Sequence, residues 1–230
     1  SEMCIRDRYI TGKAVEKACQ KLIARILEIA SGMLEAPVEE LVFASDHVEW
    51  PKEQKSVSLE DIGTKSMCGN GCALEVTESN TSPTSPPPFM AGAVEIELDK
   101  ETGHVEILDY KAVVDCGTVV NPNLARVQTE GGIAQGIGMA LYEDIIYSEK
   151  GKNYSNSFMQ YKIPSRLDVG EIRVEFESSY EPTGPFGAKS IGEIVINTPS
   201  PAISNAVQNA VGVIVRELPI TAEKVYCLLY

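Results

Sequence analysis

Residues 93–114 read AVEIELDKETGHVEILDYKAVV, and their pattern indicates the class of fold. Apolar and polar residues alternate on both sides of DKETG, which is the pattern of two strands joined by a turn, with Gly103 where a positive φ is needed. Further helical and strand patterns flank this hairpin in no regular βαβ order. We therefore predict an α+β fold with mixed or antiparallel sheets and packed helices.

Weaker patterns complete the prediction on either side of the hairpin. We expect an extended surface connection over 78–88, which contains SNTSPTSPPP. The other predicted elements are a helix over 11–34, a short hairpin over 41–50, a helix over 58–65 capped by Ser58 with Asp61 in the capping-box position, a helix within 123–144, a strand over 171–179, and a last helix over about 203–218 capped by Thr198 or Ser200.

The composition is that of an acidic globular chain. Its 230 residues include 20 Lys and Arg against 33 Asp and Glu, so the formal net charge is −13 and we expect no nucleic-acid partner and no membrane partner. No apolar run approaches the roughly 20 residues of a membrane span. The first ten residues lack the apolar region of a secretory signal. A soluble cytoplasmic protein is the expectation.

The cysteines and histidines form no pattern typical of a metal site. Cysteines stand at 4, 19, 68, 72, 116 and 227, and the pair at 68 and 72 has no second ligand pair at zinc-site spacing. With only His47 and His104, a multi-histidine metal site is excluded, and no G-x-S-x-G motif is present for a Ser-His-Asp hydrolase. We expect reduced structural thiols and no metal held by these side chains.

The segment 123–144, NLARVQTEGGIAQGIGMALYED, combines a helical apolar pattern with glycines at 131, 132, 136 and 138. Each glycine costs roughly 1 kcal/mol against alanine in a helix interior. Two gains can offset this cost, namely close packing against another backbone or access of a ligand to main-chain N–H groups. Gln135 stands in the middle of the segment with an amide that both donates and accepts. The residues alone leave both explanations open.

The segment 180–197, YEPTGPFGAKSIGEIVIN, places Glu193 before three apolar residues. We expect this carboxylate to be desolvated, a setting that suits a general base. Three other interpretations remain open: an ion pair between Lys189 and Glu193, a glycosidase-type carboxylate pair of Glu181 and Glu193, and a phosphate loop at GAKS. The phosphate loop fits poorly, because the predicted helix begins well after the lysine.

Together these segments resemble the molybdenum hydroxylase family, that is, the large subunits of the xanthine dehydrogenase and aldehyde oxidase type. VDCGTVVNPNLARVQTEGGIAQGIGMAL is similar to the family's strand–NP–helix segment with its Q-x-E-G-G and Q-G-x-G patterns. GPFGAKSIGE resembles its G-A-K-G-x-G-E loop, with Ser190 at the penultimate glycine. TGKAVEKAC resembles a helix of the family, and the hairpin is also similar. The resemblance runs from about residue 11 to about residue 225.

The resemblance implies a cofactor and a reaction. The cofactor is molybdenum-molybdopterin in the plain or the cytosine dinucleotide form, and the reaction is hydroxylation of an electron-poor carbon with oxygen from water. An N-heterocycle such as a purine (xanthine or hypoxanthine) is the implied substrate, with Glu193 as general base. Aldehyde or nicotinate dehydrogenation is the alternative, as is a non-catalytic binding or assembly module. The implied cofactor-binding residues are Gln135, Gly132, Gly136, Gly192 and Lys189.

The resemblance also implies what surrounds the chain. Its partners would be a small-molecule substrate, the N-terminal remainder of the large subunit, and iron–sulfur and FAD subunits or domains. Residues 9–226 are expected to be the C-terminal part of the molybdopterin-binding domain, whereas 1–8 and 227–230 look like non-native tails. Because several of the family's active-site segments are absent, we expect the isolated fragment to be inactive.

Overall fold

A computed structural model describes residues 9–68, 73–82 and 84–230. These residues form two compact units, one over 10–82 and one comprising Tyr9 and 84–230. The expectation that 1–8 are a non-native tail lies outside the described residues. The described residues of the connection 78–88 have no regular secondary structure, as expected.

The first unit packs helices against a small antiparallel sheet of order β1-β2-β3. Its elements are α1 (Gly12–Leu34), β1 (Val42–Phe43), β2 (His47–Trp50), β3 (Lys55–Ser58) and α2 (Leu59–Cys68). The predicted cap of α2 is confirmed, because the Asp61 amide donates to Ser58 Oγ at 3.0 Å. Strand β3 was not predicted, since Val57 is its one buried residue and the strand lacks an apolar alternation.

The second unit is a mixed three-stranded sheet with helices packed on it. Strand β4 (Phe89–Leu98) pairs antiparallel with β5 (Val105–Asp115), and β6 (Glu171–Phe176) pairs in parallel with β5. The helices are α3 (Pro122–Leu141), α4 (Pro199–Val211) and α5 (Ala222–Leu229). Gly103 has a φ of 75°, as the turn requires. The α+β prediction with mixed and antiparallel sheets is confirmed.

The C-terminal prediction needs correction. Helix α4 ends at Val211, because Gly212 adopts the left-handed conformation that stops it, so the predicted continuation to about 218 is wrong. Thr198 does not cap α4, since its Oγ1 accepts a hydrogen bond at 2.9 Å from the buried Tyr110 hydroxyl. Helix α5 was not predicted; it starts after Thr221, and it contains the first residues of the segment 227–230.

Four of the six cysteines lie in the described part of the chain, and all four are free thiols. Cys4 and Cys72 lie outside it. Over 9–68, 73–82 and 84–230, no three His, Cys, Asp or Glu side chains come together as a metal site would require. None of the helices described has the length and apolar character to cross a membrane.

Candidate functional site

A groove in the second unit brings the two glycine-rich segments together. It has a volume of about 560 Å³ and lies between one face of α3 and the segment 192–197. Four residues predicted from the sequence line it, namely Gln135, Gly132, Gly192 and Glu193. The other lining residues are Val127, Gln128, Gly131, Val195, Ile196 and Asn197.

One wall of the groove follows from the spacing of residues along α3. Gln128, Gly131, Gly132 and Gln135 stand at i, i+3, i+4 and i+7, so they share one face of the helix. Asn121 fixes where this helix begins, because its side chain accepts a hydrogen bond from the Leu124 amide at 3.1 Å. The wall therefore presents two amide side chains separated by a surface without side chains.

The glycines of α3 have different roles, which the sequence left open. A Cβ at Gly132 would lie 2.9 Å from Val195 Cβ, and a Cβ at Gly136 would lie 2.6 Å from Pro199 Cγ. Close packing against the 3₁₀ turn Ile194–Ile196 and the start of α4 therefore explains both. Gly136 does not line the groove. Apart from its chain neighbours and the backbone of its own helix, no described residue has an atom within 4 Å of the Cβ position of Gly131, so this glycine leaves open space at the groove.

Glu193 is exposed at the groove, so the prediction that its carboxylate is desolvated is wrong for this structure. The apolar neighbours that suggested burial turn inward instead: Ile191 is 0 % exposed and Val195 1 %. Both pack in a cluster with Val114 and Cys116. Within the described ranges, the Glu193 carboxylate has no hydrogen-bond or ion-pair partner. A carboxylate without a partner is available to a ligand in the groove.

Two amide side chains of the groove were not identified as site residues from the sequence. Gln128 is half-buried and Asn197 is exposed. Gln128 could have been identified, because it precedes Gln135 by seven residues and therefore shares its helix face. Asn197 gave no such signal, since it follows the short 3₁₀ turn Ile194–Ile196 and shares no helical periodicity with the other groove residues. With Gln135, these side chains supply donors and acceptors on both sides of the groove.

Lys189 does not line the groove. Its side chain is buried and its Nζ donates to Asp115 Oδ2 at 2.5 Å, so the ion pair forms with Asp115 and not with Glu193. The phosphate-loop interpretation fails for the same reason, and because the next α-helix after Lys189 begins only at Pro199.

The glycosidase-type carboxylate pair is also not formed. Glu181 accepts hydrogen bonds from the backbone amide of Thr183 at 3.0 Å and from its hydroxyl at 2.5 Å. Those hydrogen bonds lower the pKa of Glu181. Among the described residues that line the groove, Glu193 is the one carboxylate. The groove can therefore bind a heteroatom-rich ligand through amides and accept a proton at a single position.

Comparison with known proteins gives this groove a context. Residues 6–170 match the family model described as a molybdopterin cofactor-binding domain. The chain is 34 % identical over 224 residues to "Probable hypoxanthine oxidase XdhD" of Escherichia coli K12, which covers 95 % of this chain and 23 % of that protein. It is 33 % identical over 237 residues to the nicotine 6-hydroxylase large subunit of Paenarthrobacter nicotinovorans. This match covers 96 % of this chain and 28 % of that protein. The chain thus spans about a quarter of the length of these relatives.

Solved structures show the same fold. Quinoline 2-oxidoreductase from Pseudomonas putida 86 matches with a TM-score of 0.79 and 27 % identity, over 96 % of this chain and 30 % of that one. A Cu,Mo-CO dehydrogenase in its carbon monoxide reduced state matches with a TM-score of 0.78 and 25 % identity, over 95 % of this chain and 28 % of that one.

Proposed function

Because the chain belongs to the molybdopterin cofactor-binding domains of the molybdenum hydroxylase family, we propose that its groove forms part of an active site that hydroxylates an N-heterocycle. The observation that carries this proposal is the groove itself, in which Gln135 on α3 lines the same cavity as Glu193, whose carboxylate has no partner among the described residues.

The residues of the groove fit molybdenum-molybdopterin in the plain or the cytosine dinucleotide form. A pterin ring has donors and acceptors along its edges, and Gln128, Gln135 and Asn197 offer both kinds of group. The open space at Gly131 would let a flat ligand approach the helix backbone. When bound, this cofactor supplies the two-electron redox chemistry that amino-acid side chains lack.

Glu193 is proposed as the general base. It would take up the proton released as oxygen from water is transferred to the substrate carbon. Its position supports this role, because no described side chain competes for the carboxylate and the groove gives it access to a bound substrate. Glu193 stands between the buried Ile191 and Val195, so its backbone is held in place while its side chain stays accessible. A fixed backbone limits the positions that the carboxylate can occupy, so less orientational entropy is lost when the transition state forms.

An electron-poor N-heterocycle such as a purine is the proposed substrate class. The relatives named for hypoxanthine and nicotine, and the structure named for quinoline, act by those names on N-heterocycles. Each of these matches covers at least 95 % of this chain. The fold alone does not select the substrate, because a CO dehydrogenase has the same fold.

The substrate proposal is tested in the intact protein purified with its partner subunits. Molybdenum is measured by mass spectrometry, and turnover is measured on hypoxanthine, nicotinate and benzaldehyde in ¹⁸O-labelled water. We expect ¹⁸O in the hydroxylated heterocycle. Oxidation of benzaldehyde alone would overturn the substrate class. Full molybdenum occupancy with no turnover on any compound would favour a non-catalytic module instead.

Iron–sulfur and FAD subunits are the proposed electron-accepting partners. One relative is named as the large subunit of a nicotine hydroxylase, which supports a multi-subunit assembly for this chain as well. None of the described residues forms a cluster site, so iron–sulfur centres are proposed on the partners.

The isolated chain of 230 residues is expected neither to hold molybdenum tightly nor to turn over substrate. The chain spans only 23 % of one relative, so most of the cofactor's contacts are proposed to come from other segments. Its surface also exposes Phe158, Met159 and Leu167 at 78 %, 80 % and 91 %, which favours aggregation. Light scattering and metal analysis of the isolated chain test this. A monodisperse, molybdenum-loaded and active preparation would contradict it.

A further inference from the structure

The carboxylate of Asp115, at the end of β5, accepts three hydrogen bonds. Its Oδ2 accepts from Lys189 Nζ at 2.5 Å, and its Oδ1 accepts from Ser179 Oγ at 2.6 Å and from the Gly117 amide at 3.1 Å. Both oxygens are therefore occupied. The Lys189 side chain is 9 % exposed, and its Nζ lies 5.5 Å from the centroid of the Phe89 ring. The Asp115 side chain is 21 % exposed, so the two residues, which stand 74 positions apart, form a partly buried ion pair.

Backbone hydrogen bonds also join the segments 116–118 and 187–189, and we call this region, with the ion pair, the junction. The Lys189 amide donates to the Cys116 carbonyl at 2.7 Å, and the Thr118 amide donates to the Gly187 carbonyl at 2.8 Å. Gly117 permits this close approach: its φ is +69°, and a Cβ there would lie 2.8 Å from the Lys189 nitrogen. The loop over 187–189 is therefore attached directly to the chain that follows β5.

The two walls of the groove, helix α3 and the segment 192–197, both follow this junction closely in the chain. The chain after Asp115 leads within seven residues to Pro122, where α3 begins and carries Gln128 and Gln135. The chain after Lys189 leads within four residues to Glu193. Ser190 and Ile191, the first two residues after Lys189, are 3 % and 0 % exposed, so most of this short connection is packed, and only the half-buried Gly192 separates it from Glu193.

We infer that the Asp115–Lys189 ion pair is a positioning element that sets where Glu193 stands in the groove relative to Gln135. Neither residue lines the groove, so the pair acts through the backbone and not by contact with a ligand. The inference rests on the proposed role of Glu193 as base. It assigns Lys189 a function different from cofactor binding.

The charge state of Asp115 agrees with this role. Burial would raise the pKa of Asp115, but the hydrogen bonds from Lys189, Ser179 and the Gly117 amide outweigh burial and hold the pKa below its ordinary value. The carboxylate is therefore ionised at neutral pH and keeps its attraction for the ammonium group. A buried charge that loses its partner is strongly unfavourable, so each single substitution should disturb the junction.

The test uses the intact molybdenum-loaded enzyme and the variants Lys189→Met, Asp115→Asn and the combination of both. Lys189→Met keeps most of the aliphatic side chain and removes the charge. We expect kcat per molybdenum to fall by about 10²-fold with little change in KM, since small displacements of catalytic groups have effects of this size. The double variant removes both charges, so it should recover thermal stability without recovering kcat. A purely structural pair would recover both.

A second measurement links the ion pair to Glu193. Adding Glu193→Gln to Lys189→Met should cost much less than Glu193→Gln in the wild-type background, because a displaced base has less rate to lose. Wild-type kcat in Lys189→Met, with Glu193→Gln still impaired, would overturn the positioning role and leave the base intact. Wild-type kcat in Glu193→Gln would instead overturn the proposed function, and the positioning role with it.

A milder variant keeps the test valid if Lys189→Met yields no soluble enzyme. Ser179→Ala removes one of the three donors to Asp115 and leaves the ion pair in place. It should lower kcat measurably and increase hydrogen exchange of the amides over 187–193, with no change in strands β1–β3. Unchanged kcat and unchanged exchange over 187–193 in this variant would also overturn the inference.

Discussion

Glu193→Gln in the intact enzyme is expected to lower turnover by about 10²–10⁴-fold, the usual contribution of a general base. The amide keeps the size and hydrogen-bonding reach of the carboxylate but cannot take up a proton at neutral pH. Because Glu193 is exposed and has no partner among the described residues, its replacement should leave thermal stability and molybdenum content nearly unchanged. Steady-state kinetics normalised to molybdenum content measure the effect.

Glu175→Gln is the matched control for this experiment. Glu175 is also an exposed glutamate of the second unit, but it lies on β6 and does not line the groove. The Glu175→Gln substitution removes the same charge from the protein and should leave turnover at the wild-type level. Near-normal turnover of Glu193→Gln at full molybdenum occupancy would show that Glu193 is not the base. An equal loss in both variants would attribute the effect to net charge.

Gly136→Val is expected to destabilise the fold, because the new side chain would overlap the start of α4. A Cβ at this position would lie 2.6 Å from Pro199 Cγ and 3.1 Å from the Ile196 carbonyl oxygen, and neither group can move freely. Overpacking of this kind costs about 1–3 kcal/mol of unfolding free energy, occasionally more. The melting temperature and the soluble yield of the intact protein report it.

Gly131→Val is the matched control, with the same substitution on the same helix. Beyond α3 itself, no described atom lies within 4 Å of a Cβ at Gly131, so the fold should tolerate the side chain. Loss of a helical glycine should even favour α3 slightly. Because Gly131 lines the groove, the valine should lower molybdenum content instead. Equal stability of the two variants would contradict the packing role of Gly136. Full molybdenum content in Gly131→Val would contradict the use of the groove by the cofactor.

Much of the fold could be predicted from local patterns. Helix α1, the hairpin β4–β5 and helix α3 were predicted because the repeat of apolar residues has the period of the element and the turn at Gly103 needs a glycine. Helix α5 was missed, and α4 was predicted too long, because the apolar residues after Gly212 continue a helical spacing that the left-handed glycine interrupts.

The site could be predicted in part, mainly through the family resemblance. That resemblance pointed to Gln135, Gly132, Gly192 and Glu193, and the structure brings these four residues to one groove. The physical environment of Glu193 could not be read from its neighbours. An apolar run after a carboxylate indicates that something is buried there, but the chain buries Val195 under Gly132 and leaves Glu193 outside.

The features that could be predicted from the sequence have causes within a few residues: the helical and strand periodicities, the Ser58 cap and the turn at Gly103. In contrast, the pairing of Lys189 with Asp115, 74 positions away, and not with Glu193, four positions away, depends on the folded chain. The same holds for Gly136, which serves packing, and for Gly131, which faces open space. The reason is physical: propensity and capping act along the chain, whereas burial, charge pairing and close approach depend on residues that only the folded chain brings into contact.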